Sequence, residues 1–600
     1  VAGVDEKIGI LVIAHGSPSD DWCVPVRDAV AEVDLPYPVE LGFLEFVPNE
    51  TINDAVERLD NAGVTEIIAI PLFISSHSSH IQEIEYVLGL RETLPLASEN
   101  VMVEGVEMKR TIVQKGERYV ISRVPVEIGA DGVMRVMGHP DEEEELVPVE
   151  TDAEIILTGA MDDHWLVAGI VADRTADLST DLEEETLVLV AHGTDEEDNF
   201  AGWVNSTSSL ANQARLKLMF WRDPAVEFAS TEAAFIHHNE TLHPEFTLRP
   251  IVENAIGPVV VPLMVSEGYF TERKIPSLLK NLTYAYDGKA LTPHPNVAGW
   301  IEMSAAKEST DLTLQIYDDG NLLDISIDDV AEAHGHVCPC AAAAFKASQT
   351  AFLAWNRIPA RGDLEIVSAH PSDGHTETFE YILNSSEDVT VDLPEGTDIV
   401  NLTEENYRYS FIEKSTGDMV VVSVKDGFFP DGFFEMRKRV KTKAATPDEK
   451  SAFKLMKDEL KEKVLYLPAE EVFEVEFIEG GSATSLTAEV IPAVSMTIST
   501  KVLDFGKVGA GMISEDEIIT IVNTGSKSAK VSALLEEDGD GFYSESLKLN
   551  GWNIGGFSAV VPADTSDFRY EYEVLANLLV PDWAGGKYDG TIFFVAQSGS

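Results

Sequence analysis

Cysteine is scarce: Cys23, Cys338 and Cys340 are the only three in 600 residues, and the last two form a Cys-Pro-Cys run too short for an ordinary disulfide. A disulfide framework is therefore excluded, while few thiols suit an oxidising compartment as well as a reducing one. Basic residues are also scarce. There are 43 Lys and Arg against 104 Asp and Glu, a formal net charge of -61. Such a surface repels phosphate backbones and anionic headgroups, which argues against nucleic acid as a partner. It serves solubility first, and it equally suits a salty medium or the attraction of cations. No apolar run reaches the roughly 20 residues that a bilayer span requires. What is present is an apolar share of 44%, enough to exclude wholesale disorder. A chain this long outgrows one core, so about three to five domains are expected.

The first residues, Val1 to Lys7, lack an initiator Met, as expected of a mature end after signal removal or of a trimmed chain. Asn-x-Ser/Thr sequons begin at Asn49, Asn205, Asn239, Asn281, Asn384 and Asn401. Both features favour an extracellular or cell-envelope location, with the cytoplasm as the alternative.

The first segment alternates buried-strand runs with helix patterns: Ile8 to Ala14, residues 39 to 46 and Val64 to Ile74 read as strands. Between the last two, Ile52, Ala55, Val56 and Leu59 share one helical face, with Thr51 as cap and Gly63 as stop. This rhythm predicts a parallel α/β sheet. Residues 101 to about 150, with the acidic stretch 141–145, break it and read as an insertion; the α/β pattern resumes near Glu154 to Leu157. An acidic linker around Asp181 to Glu185 closes this unit.

A second unit repeats the plan, with strands at 186–191, 226–235 and 258–265 and a helix through 200–220. VIAHGSPSDDW at 12–22 is echoed by LVAHGTDEEDNFAGW at 189–203, and AIPLFIS at 69–75 by VVPLMVS at 260–266, so duplication is expected. Residues 311–475 mix a helix after Cys340, strands near 364–368 and 418–424, and a charged helix at 447–464. Beyond about 476 alternating strands and turns predict an Ig-like β-sandwich. The expected fold is thus multidomain α/β plus all-β: parallel α/β units over 1–180 and 181–310, an α+β metal-binding domain over 311–475 and a β-sandwich over 476–600.

The first strand delivers His15 to its carboxyl edge, where open parallel sheets place ligand sites, and the third brings His77 and His80 to the same edge. Two imidazoles from adjacent strand ends can hold a divalent metal with positions left open, while Glu45 or Glu83 takes up protons. Any one of these histidines is equally well read as a loop cap.

AHGSPS at 14–19, FLEF with Pro48 at 43–48 and PLFISSHSSHIQEI at 71–84 together resemble the class II tetrapyrrole chelatases of the sirohydrochlorin cobalt, nickel and iron type. The resemblance implies that His15 and a second histidine before a V/I-x-x-D/E segment, His80, bind the metal inserted into the macrocycle, with His77 as competitor. In the second unit His192 stands where His15 does, but Phe270 replaces the second histidine. His237, His238 and His243 are candidates to compensate, and a degenerate structural half is the preferred reading. Lys and Arg are sparse near these motifs, an objection to an anionic macrocycle.

His334-Gly-His336-Val-Cys338-Pro-Cys340, followed about thirty residues on by His370-Pro-Ser-Asp373-Gly-His375, suits zinc or another borderline metal. His336 and Cys338 are expected from one segment and His370 or His375 from the other. The HGHxCP run is similar to the FmdE family of formylmethanofuran dehydrogenase components, except that Cys340 stands where that family has Gly and His370 where a second Cys is usual. The terminal segment is similar to β-sandwich repeats of archaeal cell-surface proteins. The readings that follow are a chelatase inserting Co, Ni or Fe into a sirohydrochlorin-type tetrapyrrole, a surface protein binding metal or metallo-tetrapyrrole, or a self-associating building block of an envelope or filament.

Overall fold

The computed structural model describes residues 7–96, 98–103, 106–116, 118–128, 134–136, 143–180, 184–222, 230–355, 357–479, 496–498, 503–523, 527–537, 541–562, 571–581, 584 and 590–598. The chain divides into two compact units between Ala483 and Thr484.

The first unit opens with β1 (Ile8–Ala14), α1 (Asp20–Ala31), β2 (Val39–Phe43), α2 (Ile52–Ala62), β3 (Glu66–Pro71) and α3 (Ser79–Val87). Helix α2 is bounded as its sequence dictates: Thr51 and Asp54 form a reciprocal capping box, and Gly63 ends it in the left-handed conformation. The insertion is an antiparallel sheet of β4 (Ser98–Val103), β5 (Val106–Lys115), β6 (Arg118–Ile128), β7 (Met134–Val136) and β8 (Glu143–Leu146), in which β6 pairs β5, β7 and β8. Of the acidic stretch, 141–142 lie outside the described residues and Glu143–Glu145 fall in β8. The parallel sheet resumes with β9 (Glu154–Leu157), giving the order β2-β1-β3-β9. Its central strands are covered on both faces, which is why β1 and β3 are almost wholly apolar.

After α4 (Trp165–Leu178) the plan repeats as β10 (Thr186–Gly193), α5 (Glu197–Lys217), β11 (Ser230–His237), α6 (Leu248–Asn254), β12 (Pro258–Leu263), α7 (Ile275–Leu278) and α8 (Pro295–Ser309). Residues 181–183 of the acidic linker and 226–229 of the expected strand lie outside the described residues. The sheet order β11-β10-β12 reproduces β2-β1-β3, register included: Ala14 faces Phe43, and Ala191 faces Phe235. The halves share one core and keep a further one each, around Leu11 and Leu59 in the first and around Val188 and Val260 in the second. Helix α4 packs on β12 of the second sheet and α8 packs on β3 of the first. One apolar cluster therefore runs from Ile10 and Ile68 through Val171 to Leu189 and Trp300.

The third region contains the hairpin β13 (Thr313–Asp318) and β14 (Asn321–Ser326), then α9 (Ile327–His334), α10 (Pro339–Ala354), β15 (Leu364–Ser368), α11 (Asp373–Leu383), β16 (Val389–Val391), β17 (Arg408–Glu413), β18 (Met419–Val424), α12 (Phe433–Lys441), α13 (Pro447–Tyr466), α14 (Ala469–Val472) and β19 (Phe473–Ile478). Its mixed sheet has the order β16-β15-β17-β18-β19. Strand β19 runs past the boundary expected at 475, because it pairs β18 along its length. Helix α13 docks this region on the duplicated half: Arg215 bonds Asp448, Lys307 bonds Glu462, and Leu216 packs with Phe433, Phe453 and Met456.

In the second compact unit, strands 496–498, 517–523, 571–578, 547–549 and 552–553 form one antiparallel sheet, and 558–561, 529–537 and 590–598 another. Ile519, Ile521, Val531, Val561 and Val574, drawn from both sheets, share one buried cluster. Among the described residues no helix is long and apolar enough to cross a membrane.

Candidate metal centre

The carboxyl edge of the first parallel sheet gathers His15 from the end of β1, Glu45 from beyond β2 and His80 from the first turn of α3. One donor atom from each lies within 4.8 Å of the others. The approach is set by Gly16, whose φ of +90° turns the chain so that the His15 carbonyl accepts from the Glu45 amide at 2.9 Å. A Cβ on Gly16 would lie 2.1 Å from the Glu45 carbonyl oxygen. The imidazole rings of His15 and His80 meet edge to face, with centroids 4.6 Å apart.

Hydrogen bonds fix both tautomers. His15 Nδ1 donates to the Gly16 carbonyl at 2.8 Å, and His80 Nδ1 donates to Glu83 Oε1 at 3.2 Å, so in each neutral ring the lone pair is on Nε2. Burial, and then the neighbouring His80, lowers the pKa of His15 and keeps it in the ligating, uncharged form. An imidazole backed by a carboxylate is the usual outer arrangement of a metal-binding histidine.

The scarcity of basic residues around the motifs is not borne into the folded site. Arg110 on β5 reaches under the sheet edge, where its Nε donates to Glu45 at 2.8 Å and its Nη2 bonds both Glu45 and Glu83. Arg123 on β6 bonds Glu45 and, at 3.0 Å, Glu144, and stacks over Phe46 at 4.2 Å. Burial alone would raise the Glu45 carboxyl, but Arg110, His15 and Arg123 outweigh it and hold the group well below the usual carboxylate range. Glu83 is likewise held down by Arg110 and His80 against its burial. A carboxylate clamped by guanidinium is a weak base, so this arrangement favours Glu45 and Glu83 staying ionised. The sequence hides both arginines because they arrive from an insertion, on strands of a different sheet.

His77 stands apart from this cluster. Its ring lies on α5 at Gly202, where an added Cβ would fall 2.0 Å from a ring carbon, and its carbonyl accepts from Trp203 Nε1. It serves the contact between the two halves.

In the second half His192 repeats the His15 arrangement, its Nδ1 donating to the Gly193 carbonyl at 3.0 Å. His237 sits two residues beyond Phe235 as Glu45 sits two beyond Phe43, and its ring lies 4.5 Å from that of His192. Phe270 closes the third side, 5.1 Å from His192. Burial, with His192 and Lys274, lowers the pKa of His237 to about 3. His238 stacks on Phe200, and His243 bonds Glu197.

The third region holds two further groups of potential ligands: His334, His336 and Cys338, and Cys340, His370 and His375. Cys338 caps α10, its Sγ accepting from the Ala341 amide at 3.3 Å, and lies 3.6 Å from His334 Nε2; His334 Nδ1 bonds Glu377 at 2.5 Å. The Cys340 thiol, the Ala341 amide and His334 push the Cys338 thiol down to about 5, while Cys340 is raised well above its ordinary value. The expected combination of His336 and Cys338 with His370 or His375 is not the grouping found. His375 has both ring nitrogens engaged, by Ser372 Oγ and the Tyr409 hydroxyl, and His370 sits with Cys340 instead. The residues overlooked as donors were His334 and Cys340.

A parallel α/β protein that presents two tautomer-fixed imidazoles and a carboxylate at its sheet edge belongs by architecture with the metal chelatases. The CbiX family model matches residues 9–178. The chain is 33% identical over 90 residues to the sirohydrochlorin cobaltochelatase of Methanosarcina barkeri, a stretch covering 14% of this chain and 68% of that one, and 36% identical over 91 residues to that of Methanococcoides burtonii, with the same coverage. A solved structure of SirB from Bacillus subtilis with Fe3+ aligns at 17% identity and a TM-score of 0.31, covering 51% of this chain and 98% of that one. The chain belongs to the CbiX-type sirohydrochlorin cobaltochelatase family.

Proposed function

We propose that this protein inserts a divalent metal, cobalt, nickel or iron, into a sirohydrochlorin-type tetrapyrrole. The observation that carries the reading is the convergence of His15, Glu45 and His80 within 4.8 Å, with both imidazoles fixed in one tautomer. The metal is substrate here: His15 and His80 hold it through Nε2 and hand it to the macrocycle. Once the metal has left, the freed Nε2 atoms of His80, backed by the Glu83 carboxylate, and of His15 each take up one of the two displaced pyrrole protons. The second half supplies the far wall of the cleft. Spectroscopic assay of Co2+, Ni2+ and Fe2+ insertion into sirohydrochlorin by the purified chain tests this. Turnover that disappears in His15→Ala and His80→Ala supports it, whereas tight binding of metal or metallated product without turnover favours a binding protein.

The third region is similar in motif to the FmdE family, and its donor chemistry fits zinc: His334, His336 and Cys338 supply a nitrogen and sulfur set, with the Cys338 thiol already inclined to ionise. Those residues would hold the ion, which would act there as a Lewis acid. The second compact unit, a β-sandwich in this reading, serves assembly or anchoring at the cell envelope. All six sequon asparagines are exposed, in keeping with export. A mass shift of native protein on deglycosylation checks that location.

A further inference from the structure

The insertion places two permanent positive charges directly behind the metal centre. Arg110 is only 2% exposed and bonds Glu45 and Glu83 at once; Arg123 takes the other carboxylate oxygen of Glu45. Both oxygens of the carboxylate that faces His15 and His80 are therefore already engaged by guanidinium groups.

We infer that Arg110 is a positioning residue that weakens the hold of the His15–Glu45–His80 cluster on a divalent cation, so that the metal stays exchangeable. The inference rests on reading that cluster as the place where the substrate metal is held. Two imidazoles and two buried carboxylates, unopposed, have the composition of a tight resident site. A chelatase that kept its metal there would not release it to the macrocycle. The guanidinium does not lose its proton, and in a buried setting its repulsion of a nearby divalent ion is far stronger than in water. It also draws Glu45 and Glu83 toward the insertion sheet, so a cation must share a carboxylate that Arg110 orients. A purely structural role, neutralising buried carboxylates, makes the opposite prediction: loss of Arg110 would loosen the site and weaken metal binding.

The test is equilibrium competition for Co2+ alone against a chromophoric chelator at near-neutral pH, on the full chain and its Arg110→Met, Arg110→Lys and Arg123→Met variants. Arg110→Met is expected to bind Co2+ at least about tenfold more tightly and release it more slowly, and Arg110→Lys to stay within about threefold of the parent. Arg123→Met tightens binding as well, and it carries the test should Arg110→Met not fold. Binding no tighter than the parent in Arg110→Met, or in Arg123→Met where only that variant folds, overturns the inference. If the folded parent binds no Co2+ that His15→Ala removes, the functional reading falls and the inference with it. Parent binding that His15→Ala abolishes, with no tightening in the arginine variants, overturns the inference alone.

Discussion

Glu45 and His237 occupy the same register position in the two halves, each two residues beyond the phenylalanine that faces the alanine before the His-Gly turn. The duplicated sheet edge therefore carries histidine, glutamate and histidine in one copy and histidine, histidine and phenylalanine in the other. Among the described residues no carboxylate groups with His192 and His237, and Phe270 stands in place of a third donor, yet the tautomer-fixing bond from His192 to the Gly193 carbonyl is retained.

Phe270→His is accordingly expected to restore a third donor beside His192 and His237. In a His80→Ala background, where the first site is impaired, metal analysis after dialysis against Co2+ should show one additional ion per chain. That ion should be lost again on adding His192→Ala.

The turn that brings Glu45 to His15 depends on a glycine. With φ at +90° and the Glu45 carbonyl 2.1 Å from any added Cβ, Gly16→Ala must move the backbone. Denaturant unfolding should report a loss of about 2–4 kcal/mol. Co2+ affinity should fall in the same variant, because Glu45 is displaced from the imidazoles.

Cys338 should behave as a thiolate. Its pKa near 5, against the raised value of Cys340 and of the buried Cys23, predicts that iodoacetamide near pH 6.5 labels Cys338 well before the other two. Peptide mass mapping reads the order of labelling, and Zn2+ should protect Cys338 through the neighbouring His334 and His336. Equal labelling of all three would contradict the arrangement.

Stability should decline in mild acid. His237 has a pKa of about 3 when folded against an ordinary 6.5, so between these values the unfolded chain binds a proton that the folded chain does not. Stability from this group is complete above about pH 6.5 and is lost as pH falls toward about 3. The melting temperature should drop between about pH 7.5 and pH 5, and His237→Phe should drop less over the same range.

Much of this was legible in the sequence because it is local. The buried strand runs, the Thr51 cap, the echo of the His-Gly turn and the pairing of His15 with a histidine before Ile-Gln-Glu all follow from short stretches and their periodicity. What the sequence did not show was why His80 prevails over its competitor His77. That is settled by Gly202 in the other half, which accepts the His77 ring. Arg110 and Arg123 escaped notice because the insertion that carries them is β-like and has no motif of its own. The exchange of α4 and α8 between the sheets, which joins one face of each sheet into a common core, likewise depends on contacts that no local pattern encodes. In the third region the Cys/His run pointed to metal, yet the grouping, His334 and His336 with Cys338 and Cys340 with His370 and His375, depends on how the two segments meet in space.

The most direct test of the central claim is the rate of Co2+ insertion into sirohydrochlorin by the full chain, followed by absorbance, beside folded His15→Ala and His80→Ala variants. Loss of at least about a hundredfold in rate in each variant, with circular dichroism unchanged, is the expected result. Insertion that proceeds at the parental rate in both variants would show that the sheet-edge cluster does not hold the metal.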